Sequence, residues 1–222
     1  MEVIYDGKTN RLVKKDDKLL LEFKDTILGD EHRAVDPGGN FVVGRVPGKG
    51  VASAAVTTRI FEVLKEAAVP SHFIRRHSDT ELEIKKAEPI RLEVVYRVLA
   101  YGSFLKRYRT CVKPLSKLDI VEFNVKDDVL GDPLIAPEVI PKLKIASAKE
   151  VENMEKFAKK ISKQVSKYLA GFGLKLVDMK FEFGRIGQKL TIIDSLSGDT
   201  MRVLDSKKNK ILDQIALAKK LK

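Results

Sequence analysis

Glu182 and Asp194 are the side chains whose type and spacing point most directly to chemistry. They lie in LVDMKFEFG (Leu176–Gly184) and LTIIDSLSGDTMR (Leu190–Arg202), two β-rich stretches separated by a turn around Gly187. Alternation puts Val177, Met179, Phe181 and Phe183 on one face and Asp178, Lys180 and Glu182 on the other, the pattern of a half-buried strand. With a loop of Gly187–Lys189, Glu182 falls directly across from Asp194 on the same face. Two carboxylates so placed repel unless a cation or proton sits between them. Oxygen ligands with no His or Cys beside them suit Mg²⁺ better than zinc. The same pattern also fits a solvated outer face, and the hairpin alone does not choose.

Other candidates are scattered along the chain. Lys8 follows Gly7 in a turn where a backbone can approach a phosphate. Pro47-Gly48-Lys49-Gly50 opens a helix predicted over Val51–Ala68, and a helix N-terminus can receive an anion. The spacing is not that of a Walker A loop. Lys85 and Lys86 close a strand before Pro89, and Arg97 ends the next one. Gly102-Ser103 then offers a cap hydroxyl and free N–H groups near Arg97, either an ordinary cap or a phosphate or carboxylate pocket. Lys126-Asp127-Asp128 and Gly131-Asp132-Pro133 read as turns that could equally orient an amine or a second metal. His32, His72 and His77 have no ligand spacing and no neighbouring nucleophile, and are read as non-catalytic.

Positioning these groups falls to short strands and two helices. Strands are predicted at Val3–Tyr5, Leu19–Phe23, from His72 to Val98 in three pieces, and at Asp119–Val125. Thr26–Gly50, with six glycines and two prolines, reads as a long loop of the functional or mobile kind. Ser147–Gly173 reads as an amphipathic helix, with a capping box of Ser147 and Glu150 and an apolar stripe from Val151 to Leu169. The 222 residues suit one large domain or two closely packed ones. Cys111 is the only cysteine, so no internal disulfide forms, which fits a reducing, cytoplasmic setting. No stretch approaches the ~20 apolar residues of a membrane span. The formal charge of +11 favours polyanionic company, either nucleic acid or small phosphorylated ligands. Much of it sits on helix faces and in the tail Lys207–Lys222, and no specific nucleic-acid motif accompanies it.

Leu176–Gly184 resembles, position by position, the second signature of the SAICAR synthetase (phosphoribosylaminoimidazole-succinocarboxamide synthase) family. The other pieces resemble that family in order: Tyr-x-Gly-Lys, Lys-Gly before a helix, Ser78-Asp79 then Lys85-Lys86, Glu93–Arg97, Gly102–Arg107, Lys126 with Asp128 and Asp132-Pro133, and Asp199–Arg202. The resemblance implies an α+β fold of two lobes with mainly antiparallel sheets, related to ATP-grasp and kinase-like nucleotide binders. It implies a nucleotide-binding lobe over residues 1–87 and a substrate and metal lobe over 88–222. The implied reaction joins L-aspartate to the carboxylate of CAIR, with ATP cleaved to ADP and phosphate through an acyl phosphate. Such a transfer relies on magnesium, lysine charge and positioning more than on a protein nucleophile.

Carried over by resemblance, Lys8 contacts the ATP phosphates, Lys85 and Lys86 line the adenine site, and Glu182 with Asp194 holds Mg²⁺. Arg97, Ser103, Lys180, Asp199 and Arg202 surround CAIR, with Lys180, Asp199 and Arg202 as the catalytic set. Lys126 and Asp132 position the aspartate or the CAIR ring. A homodimer is compatible with the family. Departures from its pattern include Asn10 for a lysine, Val98 for an asparagine, Tyr101 for an alanine, and Ser195 for a glutamate after Asp194. A shortened tail lacks a further arginine pair. The competing readings are a non-catalytic nucleotide- or RNA-binding relative and a ligase for another acid–amine pair.

Overall fold

Apolar residues alternating with charged ones set up three short strands at the start of the chain: β1 (Glu2–Asp6), β2 (Asn10–Lys15) and β3 (Lys18–Phe23). The sequence reading had no strand at β2, which lies between the two that were expected. A ribbon of β4 (Thr26–Gly29) and β5 (Phe41–Arg45) follows, so the expected long loop contains an antiparallel pair. The computed structural model describes every residue except Glu31, Pro37, Gly38, Asn40 and Asp128. Of the residues singled out above, Pro37, Gly38 and Asp128 therefore lie outside the described set.

Helix α1 (Lys49–Glu66) leads to β6 (Phe73–Arg76) and β7 (Glu81–Ile84), which complete a five-stranded sheet in the order β1-β2-β3-β7-β6. Residues 85–87 then cross to a second sheet. It is built from β8 (Glu88–Leu99), β9 (Lys117–Val125), β10 (Leu174–Ile186), β11 (Lys189–Ile193), β12 (Met201–Asp205) and β13 (Lys210–Ile211). Its order is β13-β12-β10-β8-β9, with β11 paired to the far half of β10. Short helices α2 (Gly102–Tyr108) and α3 (Val139–Lys142), the long α4 (Ala148–Ala170) and the terminal α5 (Gln214–Lys220) complete the chain. The strand pairings within the sheets are antiparallel, in an α+β arrangement.

Strand β10 is the axis of the second sheet: it pairs β8 along one side, and β12 then β11 along the other. A bulge between Leu176 and Asp178 shifts its phase. Leu174 and Leu176 before the bulge, and Met179, Phe181 and Phe183 after it, all reach the main core. Val177, expected on the same face as Met179, is buried but outside that core. One extra residue thus keeps both halves of a long strand facing α4. The opposite face carries Asp178 and Glu182, buried rather than solvated.

Helix α1 joins the two cores. Its Ala52, Val56, Ile60, Phe61 and Leu64 pack with the second sheet, and Ala54 packs with Leu21, Phe23, Leu82 and Ile84 of the first. The helix comes so close to β3 that a Cβ at Gly50 would sit 2.7 Å from the Phe23 carbonyl oxygen. Glycine alone admits that approach.

The expected capping box is present. Ser147 Oγ accepts from the Glu150 N–H at 3.2 Å, and the Glu150 carboxylate accepts from the Ser147 N–H at 2.8 Å. Glu150 also accepts from Arg185 Nε at 2.6 Å, tying the start of α4 to the end of β10. The Arg185 hydrogen bond is the main reason that the Glu150 carboxyl falls to about 2. Ser147→Ala removes the cap and should cost about 1 kcal/mol of folding free energy. Denaturant unfolding with an unchanged slope is the check.

Candidate active site

The polar face of β10 floors a cleft of about 330 Å³, walled by β8, the α2 start, the 131–134 turn and the segment from Asp199 to Arg202. At one end two arginines share one carboxylate. Asp178 Oδ2 lies 2.8 Å from Arg202 Nη1 and 3.3 Å from Arg97 Nη1. Arg97 also donates to Glu122 at 2.5 Å and to Ser103 Oγ at 3.0 Å. The Ser103 hydroxyl is therefore an arginine partner and makes no cap on α2, whose N-cap Tyr101 offers no side-chain bond. Arg202 Nη2 reaches Asp36, between β4 and β5, at 2.6 Å. Gly102, at φ 52°, makes room for Arg202: a Cβ there would meet the guanidinium carbon at 2.9 Å. Arg107 closes the set by donating to Glu122 at 2.6 Å.

At the other end of the same face of β10, beyond the residues that line the cleft, stand the two carboxylates. The β10–β11 turn is Gly187-Gln188, one residue shorter than expected, so Ile186 pairs Lys189 and Glu182 faces Ile193. Direct opposition of Glu182 and Asp194 is thus corrected by one position. Strict alternation would send the Asp194 side chain to the other face. Asp194 instead adopts a left-handed backbone, φ 63°, just past β11. That break in alternation brings its charge back to Glu182. Burial, then the Asp194 charge, raises the Glu182 carboxyl to about 7, against the pull of Lys126 and Lys180.

Lys126 Nζ contacts both Glu182 oxygens at 2.6 Å, and Lys180 Nζ lies 2.6 Å from Glu93. Burial lowers both ammonium pKa values. For Lys126 the charges of Glu182 and Asp194 outweigh it, for Lys180 those of Glu93 and Glu182, and both end above the usual lysine range. A carboxylate pair that raises a proton affinity by its own repulsion suits a divalent cation, with water or phosphate oxygens filling the remaining positions. Among the described residues no group of three or more His, Cys, Asp or Glu is arranged to hold an ion.

The remaining expected residues are placed unequally. Asp132 lines the cleft, and its Oδ1 accepts from the Asp127 N–H at 2.8 Å. Asp199 also lines it but is already engaged. Lys49 lies 2.5 Å from its Oδ2, which also accepts from Ser53 at 3.0 Å and Ser197 at 3.3 Å, while Gln214 donates to Oδ1 at 3.0 Å. Lys49, read as an anion receiver at the α1 start, is fully buried on this internal anion. Lys8 sits in the β1–β2 turn, its carbonyl accepting from Thr26 Oγ1 at 2.5 Å. Lys85 and Lys86 are exposed in the crossing between the sheets and do not line the cleft.

Sequence reasoning missed Asp178, Glu93, Glu122, Asp36 and His72. Asp178 was visible as a neighbour of Lys180 on the polar face. Glu122 and Asp36 gave no signal, since nothing local marks a partner on a distant segment. His72 is buried, its Nε2 lies 3.1 Å from the Asp194 carbonyl oxygen, and burial lowers its pKa to about 4.

Charged groups gathered from the second sheet and its connections around a small cleft suit compact phosphorylated ligands better than a polymer. The architecture is that of SAICAR synthase-like α+β ligases. It matches the phosphoribosylaminoimidazole-succinocarboxamide synthase of Ehrlichia chaffeensis with a TM-score of 0.89, at 28% identity, over 99% of this chain and 98% of that one. A SAICAR synthetase solved in complex with ADP gives 0.85 at 33% identity, over 96% and 88%. The Pyrobaculum aerophilum phosphoribosylaminoimidazole-succinocarboxamide synthase is 36% identical over 206 residues, covering 92% of this chain and 84% of that one. The SAICAR synthetase family model matches residues 3–221. The chain belongs to this family.

Two outcomes follow from the geometry. The folded chain keeps the Glu182 proton up to about pH 7, whereas an unfolded glutamate loses it near 4.5. The folded state therefore binds more protons over that interval, and Glu182 contributes a loss of stability as pH rises from about 4.5 to about 7. In EDTA, Glu182→Gln should remove that component and melt higher than the parent at pH 8. Lys49→Met strands the buried Asp199 charge and should cost about 3–5 kcal/mol, much of it recovered by adding Asp199→Asn. Urea unfolding of the single and double variants reads both values.

Proposed function

We propose that this chain joins L-aspartate to the carboxylate of CAIR, using ATP and releasing ADP and phosphate, as a ligase of purine biosynthesis. The observation that carries the reading is the two-ended site along β10, with arginines of β8 and β12 paired on Asp178 at one end and Glu182 converging with Asp194 at the other. Arg97, Arg202 and Ser103 take the CAIR phosphate. Planar guanidiniums held in place by Asp178 are pre-organised for that anion. Lys180 lies between the two ends and steadies the CAIR carboxylate as it attacks the γ-phosphate of ATP. The aspartate amine then attacks the acyl phosphate, forming the C–N bond as phosphate leaves.

Glu182 and Asp194 would hold Mg²⁺, with no third protein carboxylate required. A bound Mg²⁺ would neutralise charge on the transferred phosphate oxygens. Lys126 covers the Glu182 oxygens in the ligand-free chain and turns to a ligand carboxylate once they are engaged. Asp132 faces the same space from the 131–134 turn and orients the aspartate amine. Asp199 works by holding its own turn against α1. The bound ADP of the SAICAR synthetase relative supports nucleotide use here; on this reading Lys8 meets the phosphates and Lys85 and Lys86 the adenine. A module that only binds RNA has no use for a buried carboxylate and a half-buried one that repel each other.

Purified protein given CAIR, L-aspartate, ATP and Mg²⁺ should form SAICAR and ADP in equal amounts, and Glu182→Gln should abolish this while remaining folded. Turnover of another acid–amine pair but not of CAIR would overturn the substrate assignment. Full activity of Glu182→Gln would overturn the metal assignment.

A further inference from the structure

Asp194 has an unusual backbone and is held from two directions. Its φ of 63° is a conformation that non-glycine residues seldom adopt and that aspartate tolerates better than most. Such a residue persists where its surroundings over-determine it. The segment Pro70–His72 runs beside the end of β11: the Ile192 N–H donates to the Pro70 carbonyl at 3.1 Å, and the His72 N–H to the Ile192 carbonyl at 2.9 Å. The His72 side chain extends this run by one more bond, from Nε2 to the Asp194 carbonyl at 3.1 Å. A carbonyl only accepts, so Nε2 carries the proton. The ring itself is fixed, buried and tilted against Phe61 at 5.7 Å. From the first sheet, Asn10 at the start of β2 donates Nδ2 to Asp194 Oδ1 at 2.9 Å, and Asn10 is also buried.

We infer that His72 and Asn10 are positioning residues for the metal-binding carboxylate, His72 fixing the Asp194 backbone and Asn10 aiming its side chain toward Glu182. This rests on the reading of Glu182 and Asp194 as the metal pair. Both are argued to act through Asp194 alone. Both come from the first sheet or its approach, so the segments around the nucleotide-side hairpin set the geometry of a carboxylate on the second. His72→Gln keeps a donor near the Nε2 position, whereas His72→Phe keeps the bulk and loses the donor. Asn10→Ala removes only the side-chain donor.

The test is a Mn²⁺ titration in the presence of ADP, with free Mn²⁺ read by electron paramagnetic resonance on the parent, each variant and Glu182→Ala. His72→Phe and Asn10→Ala should each weaken Mn²⁺ binding by about 10-fold, the usual range for groups that orient a ligand. His72→Gln should stay within about 3-fold of the parent. Unchanged Mn²⁺ affinity in folded His72→Phe and Asn10→Ala, with only a lowered melting temperature, would make both residues merely structural and overturn the inference. Should His72→Phe fail to fold, Asn10→Ala and His72→Gln decide it alone: parental binding by Asn10→Ala, or His72→Gln as weak as a donor-less site, overturns it. Parental binding by Glu182→Ala would overturn the metal pair itself, a result separate from the behaviour of the two positioning variants.

Discussion

Asp178 is the group on which the cleft depends. Its carboxylate is buried on β10 and holds Arg97 and Arg202 at once, one from the neighbouring β8 and one from β12. Two buried guanidiniums repel each other and are expensive to desolvate, and a single anion between them offsets both costs. The arrangement also fixes direction. With one nitrogen of each arginine tied to Asp178, the remaining edges face Ser103, Glu122 and Asp36. Plain alternation after the bulge turns Asp178 and Glu182 away from the core that Met179, Phe181 and Phe183 fill, and the bulge lets Leu174 and Leu176 reach that same core.

A second buried pair serves the other wall. Lys49 at the first turn of α1 meets Asp199 beneath the segment that leads to Arg202. The helix that joins the two cores is thereby also bonded to a wall of the site. Ser53, Ser197 and Gln214 satisfy the same carboxylate, so the pair is embedded in a network rather than isolated. Groups in such a network fail together, which is why their effects are read from double variants.

The parts legible in the sequence were those written in local periodicity. Alternation in Met179–Phe183 gave the face of β10, and the spacing of Ser147 and Glu150 gave the start of α4. What alternation could not carry was its own interruption: the inserted residue at Val177 and the left-handed Asp194 have no compositional mark. The Gly187 turn was placed but its length was not, and one residue of loop moves a carboxylate to the opposite side of a strand. Charged partners were less legible still. Lys49 looked like an open anion receiver because Asp199 is remote in sequence, and His72 looked idle because its one important acceptor is a backbone oxygen. The family motifs named Arg97, Ser103, Lys180 and Arg202, and the cleft brings these four together. Lys85 and Lys86 lie outside that lining, where exposure leaves them open to a different ligand.

Asp36 gives Arg202 a counter-ion from within the chain. Its carboxylate sits 2.6 Å from an Arg202 nitrogen, and it comes from the connection between β4 and β5, not from the framework of either large sheet. An anion that takes this guanidinium therefore exchanges with Asp36 and does not fill vacant positive charge. Arrival of one negative group and departure of the other become a single event, in which the departing ion remains tethered to the chain. On the proposed reading of Arg202 as an anion holder, the site would work there as an ion exchanger.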